Sequence, residues 1–590
     1  MCGIVGFVGD RKAAPILLSA LEKLEYRGYD SAGLATVTNS RLWCKKDIGK
    51  LAEVRGKHHL NRLPGKAGIG HVRWATHGIV TQINAHPHLD CNQDVAVVHN
   101  GIIENYQELR SRLESRHKFI SDTDTEVIPH LIEDYMEDGV SLEKAVFQAA
   151  KELKGSYALL AVSAVEPQKI VATRMESPLV VGVGRGGNFV ASDTLSFLEE
   201  TNRVIFIEDG ETVILTGNKV LILDSEGKEV KRKPKELDWK WDEATKQGYD
   251  FFMLKEILEQ PQAIRCALMQ DKNLIMETAM DILRARQIVF TACGTSRYAA
   301  LIGRYVFSKI AGKFSDVIMA SEFEYFSDSI DKNTVVIAVS QSGETSDVIQ
   351  GVKRAKDAGA TIFSLVNMVG SSLTRVSDRT VYLNCGPEIG VAATKSFLSQ
   401  LAILYLLAFA MVNRLDEGIE KLRAVCPLIE ENFHDNGKRL AELAQKLKNK
   451  NDFYYIARGI NFAMAGEGAL KLKEIAYIHA EGMPAGELKH GTLALIEKGT
   501  PVVAICPKDY TFHAVLSNVA ETKARGAFVI GISDELEPSF DEWIKIPSVE
   551  EIFYPLVCIV PLQLLAYHFA VARGLDPDKP RNLAKSVTVK

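Results

Sequence analysis

The chain has 590 residues, more than one hydrophobic core can hold, and at roughly 100–200 residues per domain that length implies about three to five domains. Hydrophobic residues make up 46% and charged residues 25%, the range of an ordinary folded chain, which excludes global disorder. The 70 basic residues against 75 acidic ones leave a net charge of −5, which argues against a nucleic-acid binder working through bulk basicity.

The nine cysteines are scattered, with no C-x-x-C and no Cys/His run at zinc spacing. A reducing cytosol fits that pattern better than a disulfide framework, and neither a metal nor an organic cofactor is expected. The apolar stretch 401–412 is shorter than the ~18 residues that span a bilayer, and the one at 556–572 is interrupted by Pro561, Gln563 and His568. Both read as buried helices. The start MCGIVGFVGD lacks the basic leader of a signal peptide, so the expectation is a cytoplasmic protein with no membrane or nucleic-acid partner.

In chain order, the first 225 residues or so are rich in short β-type runs at 4–8, 67–73, 95–99, 158–162, 180–183, 189–192 and 213–215. Amphipathic helical patterns interrupt them at 14–24 and 124–135. Strands outnumber helices and do not alternate with them, which favours a largely antiparallel α+β layer structure. The polar, charged stretch 227–248 reads as a linker, with a boundary near 240. From about 250 onward, glycine-terminated apolar strands alternate with long helical patterns, the signature of parallel α/β units.

That second part repeats itself. The strand entering Cys293–Ser296 matches the one entering Arg458–Asn461, and the strand ending in SQSGET from Ser340 matches the one ending at Pro507. KRAKDAGATIFSL from Lys353 matches KARGAFVIGI from Lys523, at nearly equal spacing. The reading is two copies of one doubly wound α/β domain, joined by a helical stretch at 401–447.

Three groups of residues carry chemistry. Cys2 would become the terminal residue once the initiator methionine is removed, presenting a thiol beside an α-amine whose reference pKa is near 8. GHVRWATHG from Gly70 places Arg73 in a strand-to-loop segment, VVHNGIIEN from Val97 reads as the end of a buried strand at Asn100-Gly101, and SDTDTEVI from Ser121 opens a helix with carboxylates. Singly, these also read as a surface ion pair, a plain turn and a helix N-terminus.

Together, CGIVG, LEYRGYDSAG from Leu24, HVRWATHG, NAHPH from Asn84, HNGIIEN and TDTE resemble the N-terminal-nucleophile (type II) glutamine amidotransferases over roughly residues 2–220. That resemblance implies a four-layer α/β/β/α domain that hydrolyses the glutamine amide through a thioester. Cys2 would be the nucleophile and Asn100 with Gly101 the oxyanion hole. Arg73 would grip the glutamine carboxylate and Asp124 its ammonium. It further implies Trp74, Thr76, His77 and His86 at the glutamine site, with Trp74 gating the route for ammonia.

In the repeated part, CGTS and SQSGET each follow a strand and precede a helix, so hydroxyls and backbone N–H groups gather at a helix N-terminus and can cradle an anion. Neither turn is a P-loop or a Rossmann fingerprint. GEGALKLKEIAYIHAEGMPAGELKHGTLAL from Gly466 puts Lys471 and Glu474 three apart on an otherwise apolar helix, so the pair should line a cleft, and His490 follows in a loop.

These features and the ending DPDKPRNLAKSVTVK resemble the sugar-isomerase (SIS) domains, at 280–420 and 450–580, with 221–250 as linker and 581–590 as a catalytic tail. The resemblance implies that Thr295, Ser296, Ser340, Gln341, Ser342, Thr345, Lys471 and Ala584 bind a phosphosugar. Glu474 would move a proton between C1 and C2, His490 would assist ring opening and Lys585 would form a Schiff base. The expected reaction is transfer of glutamine nitrogen to fructose-6-phosphate with isomerisation to glucosamine-6-phosphate, in a homodimer or larger homo-oligomer. Rival readings are another amidotransferase, a sugar-phosphate sensor and a deglycase. The first would bring a P-loop, the second a helix-turn-helix, and the third has no use for Cys2.

Overall fold

The computed structural model describes residues 2–38, 41–74, 78–237 and 246–587, apart from the side chains of residues 138, 434 and 435. The chain divides into two compact units, Met1–Ala244 with Ala584–Lys590, and Thr245–Leu583.

In the first unit, strands Gly3–Gly9, Ser31–Thr38, Arg41–Ile48, Ala67–Arg73, Val180–Gly184, Gly187–Ala191, Arg203–Phe206 and Lys235–Glu236 form an eight-stranded sheet. A six-stranded sheet holds His88–Leu89, Val95–Ile103, Gly155–Ser163, Ile170–Met175, Thr212–Leu215 and Val220–Leu223. All pairings in both sheets are antiparallel.

Side chains alternate between the faces of a strand, so each sheet buries two sets of residues. Ile4, Val8, Ala67, Ile69, Ala96, Val98, Leu160 and Val190 meet between the sheets. Val95, Val97, Leu159 and Val171 turn outward, against helices Tyr106–Leu113, Val127–Met136 and Leu142–Glu152. Helix Ala13–Glu22 packs on Gly3–Gly9 and Ala67–Arg73 at the outer face of the other sheet. The result is the expected α/β/β/α layering.

Two local expectations need correction. The stretch expected to be a linker from 221 instead supplies Val220–Leu223, paired with Thr212–Leu215, and Lys235–Glu236, paired with Arg203–Phe206. Both are edge strands; Lys235–Glu236 is exposed and charged, as a protected edge often is, while Val220–Leu223 is a short apolar run beside the charged stretch that follows it. The strand expected to end at Asn100-Gly101 continues to Ile103. Gly101 makes that possible: its φ is +124°, and a Cβ there would lie 1.9 Å from the Ser156 carbonyl oxygen.

The second unit begins with helices Phe252–Leu258, Gln260–Ala267 and Lys272–Arg284. Its first parallel sheet runs Asp316–Met319, Gln287–Ala292, Thr334–Ser340, Thr361–Val366, Arg379–Tyr382. Its second runs His479–Pro484, Asp452–Ala457, Pro501–Ile505, Phe528–Ser533, Glu542–Lys545. The strand order is the same in both, second-first-third-fourth-fifth, which gives the internal repeat its structural form.

Each sheet is buried on both faces, so its strands are nearly continuous runs of apolar residues. In Gln287–Ala292, Ile288 and Phe290 face one core while Val289 faces another. Phe453 and Tyr455 share that larger core, joined by helices Lys395–Met411, Leu415–Leu447 and Tyr554–Ala572. Among the described residues, Glu551–Ala572 is the one helix long and apolar enough to cross a membrane. Yet 83% of its most apolar window is buried within the unit. The motif before the tail has a structural use as well: both carboxylate oxygens of buried Asp578 accept hydrogen bonds, from the N–H groups of Phe252 and Met253 at 2.8 Å each, and so cap helix Phe252–Leu258.

Candidate active sites

The strand period places the first site. Interior positions 4 and 8, 67 and 69, and 96 and 98 lie on three strands that meet between the sheets. Stepping by two along the same stripes reaches Cys2, then His71 and Arg73, then Asn100. The apolar interior thus gives way to polar groups at one end of the sandwich.

The contacts there are specific. Asn100 Nδ2 donates to the Cys2 carbonyl at 2.9 Å, and the Trp74 N–H donates to Cys2 Sγ at 3.3 Å. The Cys2 thiol also lies 3.3 Å from the Trp74 carbonyl oxygen. Arg73 is buried and donates to the Gly78 carbonyl at 3.3 Å. Asp124 is buried in a 3₁₀ turn, Asp124–Glu126, where its Oδ2 accepts from the Ile103 N–H at 2.8 Å. Burial pushes the Cys2 thiol pKa up, against the pull of the Trp74 backbone and Arg73. A thiol held neutral at rest needs a base when it reacts. The tryptophan ring stands edge-on to Tyr29, with centroids 5.7 Å apart.

Beneath these groups lies a layer of buried histidines that motif reading largely misses. His71 and His86 stack at 4.0 Å, and His88 meets His86 edge-on at 4.7 Å. The His71 ring also lies 3.1 Å from the His99 carbonyl, and His99 Nδ1 is 2.9 Å from Thr125 Oγ1. Burial pulls the pKa of His71 down to about 3 and takes His86 and His88 well below their ordinary value, so all three are neutral. His86, expected at the glutamine site, belongs to this layer. Thr76 and His77, also expected there, lie outside the described residues.

In the second unit, sheet order reverses between Gln287–Ala292 and Thr334–Ser340, and open α/β sheets take ligands at the carboxyl ends of such strands. Both Ser/Thr turns sit there. Thr295 and Ser296 lie in the first turn of helix Gly294–Ala311, and Ser296 Oγ accepts from Gln400 Nε2 at 2.9 Å. Ser340 Oγ accepts from the Gly343 N–H at 3.0 Å and lies 3.4 Å from Thr345 Oγ1, while Ser342 Oγ accepts from the Glu344 N–H at 3.2 Å. The Gln341 carbonyl takes the Asn367 N–H, and Thr345 precedes helix Ser346–Asp357. The Ser340 and Ser342 hydroxyls are thus held by backbone N–H groups, and Ser296 by a side-chain amide.

Lys471 and Glu474 share a face of helix Phe462–Ala476, with Lys471 Nζ 2.5 Å from Glu474 Oε2. Lys471 is fully buried and Glu474 partly open. Glu467, quoted in the motif but given no role from sequence, completes the group: its Oε1 lies 3.5 Å from Lys471 Nζ and accepts from Thr295 Oγ1 at 3.1 Å. Burial raises the Glu467 pKa to about 8, with the Lys471 ammonium pulling it down in part and the Glu474 carboxylate pushing it up. Its spacing of four from Lys471 is the signal that could have found it. His490 is exposed at the end of the 3₁₀ turn Ala485–His490. Ala584 and Lys585 are half-buried and group with the first unit.

An antiparallel four-layer unit with a cysteine at position 2, and two parallel domains of one strand order, the first with hydroxyl turns at its switch point, fit a glutamine amidotransferase joined to paired sugar-phosphate domains. Comparison with known proteins agrees: residues 71–199 match the family model described as a glutamine amidotransferase domain, and residues 281–410 and 446–573 each match the SIS domain. The chain is 50% identical to the glutamine–fructose-6-phosphate aminotransferase (isomerizing) of Thermococcus kodakarensis, with 100% of both chains covered. Identity and coverage are the same for the enzyme of that name from Methanothermobacter thermautotrophicus. Among solved structures it is similar to the C-terminal domain of glucosamine-fructose-6-phosphate aminotransferase from Francisella tularensis, at 32% identity and a TM-score of 0.52, covering 57% of this chain and 100% of that one. The chain belongs to the glutamine–fructose-6-phosphate aminotransferase (isomerizing) family.

Proposed function

We propose that this chain releases ammonia from glutamine in its first unit and uses it in the second to turn fructose-6-phosphate into glucosamine-6-phosphate, with glutamate as the other product. The observation that carries the reading is the convergence on Cys2 of the Trp74 N–H at its sulfur and the Asn100 amide at its carbonyl. With Met1 removed, the Cys2 amine takes the thiol proton and the sulfur attacks the glutamine amide carbon. Asn100 and Gly101 stabilise the oxyanion. The amine returns its proton to the leaving ammonia, and water then cleaves the thioester to glutamate. Arg73 and Asp124 hold the two ends of the amino acid, with Trp74, Thr76, His77 and His86 completing the site.

In the second unit, Thr295, Ser296, Ser340, Gln341, Ser342 and Thr345 hold the sugar phosphate through neutral donors at helix N-termini. Lys585, beside Ala584, attacks the C2 carbonyl and forms a Schiff base with loss of water. Ammonia displaces the lysine as the imine nitrogen. Glu474, held by Lys471, takes a proton from C1 and returns one to C2, which leaves the amino group on C2 and an aldehyde at C1. His490 assists ring opening.

We infer further a cytoplasmic homodimer or larger homo-oligomer without nucleic-acid or membrane partners, a reading supported by the net charge of −5 and the burial of Glu551–Ala572. A glutamine-analogue electrophile tests the first site. The expected result is one adduct per chain, on a terminal Cys2; an adduct on another cysteine with Cys2 free would remove the assignment.

A further inference from the structure

Away from both sites, four side chains of the first unit bring possible ligand atoms together at one point. Cys91 follows strand His88–Leu89, His117 follows helix Tyr106–Leu113, and His130 and Glu133 sit three apart on helix Val127–Met136. Their ligand atoms all lie within 4.8 Å of one another. Cys91 Sγ is 3.5 Å from His117 Nδ1 and 3.7 Å from His130 Nδ1. Glu133 Oε2 is 3.0 Å from His117 Nδ1 and 3.4 Å from His130 Nδ1.

Those separations have a chemical meaning. Four N, O and S ligands at about 2.0–2.3 Å in a tetrahedron stand roughly 3.3–3.6 Å from one another. His117 Nδ1 and His130 Nδ1 both face the Cys91 sulfur and the Glu133 carboxylate. His117 Nε2 lies 2.8 Å from Asp134 Oδ1, and a carboxylate behind a ligating imidazole is the usual outer shell of a metal site. His130 Nε2 stands 3.9 Å from Glu126 Oε1, beyond hydrogen-bond distance. Glu133 Oε2 also accepts from the Cys91 N–H at 3.1 Å. Glu133 is itself oriented by Asn92 Nδ2 on Oε1 at 2.8 Å. His117 and His130 are buried while Cys91 is exposed, which gives an ion a route in.

We propose that Cys91, His117, His130 and Glu133 form a tetrahedral site for a thiolate- and imidazole-preferring divalent cation, zinc above all. The ion would tie the segment after His88–Leu89 and the end of helix Tyr106–Leu113 to helix Val127–Met136, which continues from the turn that carries Asp124. Its role is structural, because all four positions are filled by the protein. The sequence conceals the site because the ligands come from three separate elements and no two cysteines are paired. The proposal is independent of the glutamine and sugar-phosphate chemistry.

The test uses the full-length chain stripped by a chelator and titrated with Zn²⁺, and in parallel with Co²⁺, whose tetrahedral thiolate complexes absorb visibly. The expected result is one equivalent bound per chain, with a rise in the thermal midpoint, and at least tenfold weaker binding in Cys91→Ser. The exposed Cys91 position lets that variant keep the metal-free thermal midpoint, and His130→Gln provides a second variant with the same expected loss. Absence of stoichiometric binding by the parent would overturn the proposal. So would equal binding by the parent and Cys91→Ser, which would put the ion on other groups such as Cys2.

Discussion

The two parallel domains of the second unit share one strand order and differ in what stands at the strand ends. In the first, strand Thr334–Ser340 runs into hydroxyls held by backbone N–H groups. In the second, the matching strand Pro501–Ile505 leads to Asp509, a buried carboxylate that accepts from the Thr511 N–H at 2.7 Å and from Asn461 Nδ2 at 2.9 Å. The protein's own negative charge fills there the kind of place the first copy leaves to a ligand's. The helices after the first strands diverge in the complementary sense: Gly294–Ala311 contributes a threonine hydroxyl, whereas Phe462–Ala476 contributes Glu467, Lys471 and Glu474. Duplication thus leaves one copy with hydroxyl-lined turns while the other gathers titrating groups.

The comparison can be broken at its strongest point by Lys471→Met. Removing a fully buried cation leaves the Glu474 carboxylate and the Glu467 carboxyl without their partner, and the expected loss is about 3–5 kcal/mol in denaturant unfolding. A loss near zero would mean the charged group carries no weight in the second copy. Next is Gly343→Ala in the first copy, where φ is +66° and a Cβ would meet Ser371 Oγ at 2.1 Å. Distortion of the cradle should raise KM for the sugar phosphate about ten- to a hundredfold with kcat little changed. Steady-state kinetics that show a fall in kcat alone would move catalysis into this turn.

Glu467→Gln sharpens the contrast through pH. With its pKa raised from 4.5 to about 8, folded Glu467 keeps a proton that the unfolded chain has released. Its contribution to stability is therefore fully present below pH 4.5 and is lost as pH rises toward 8. Urea midpoints measured across that range should fall less steeply in Glu467→Gln than in the parent, and parallel slopes would refute the raised pKa. The smallest effect belongs to Asp509→Asn, which keeps an acceptor for Thr511 and should cost about 1 kcal/mol without changing KM for the sugar phosphate. A tenfold change in KM would show that the second copy still binds the anion.

Much of this was open to sequence reading because it is local. CGTS and SQSGET announce strand-turn-helix units with hydroxyl-rich turns by composition alone, and the matched strand–turn–helix spacing of the two copies points to the shared sheet order. Cys2, Arg73 and Asn100 are found by motif, yet their meeting follows from strand period: each ends an interior stripe begun by Ile4, Ile69 and Val98. What composition hides is long-range. Val220–Leu223 is too short a run to stand out beside the charged stretch after it, Lys235–Glu236 is polar as edge strands often are, and strand continuation through Gly101 depends on the Ser156 carbonyl across the sheet. The histidine layer and the Cys91 cluster draw on segments far apart in the chain, so no spacing rule reaches them.

The most direct measurement follows glutamate and hexosamine phosphate together in the purified protein given glutamine and fructose-6-phosphate. The parent should form the two products in equal amounts, while Glu474→Gln should go on releasing glutamate and lose hexosamine phosphate by about 10²–10⁴-fold. Glutamate without any amino sugar from the parent, or undiminished amino sugar from Glu474→Gln, would contradict the division of labour between the two units and the role of the second copy.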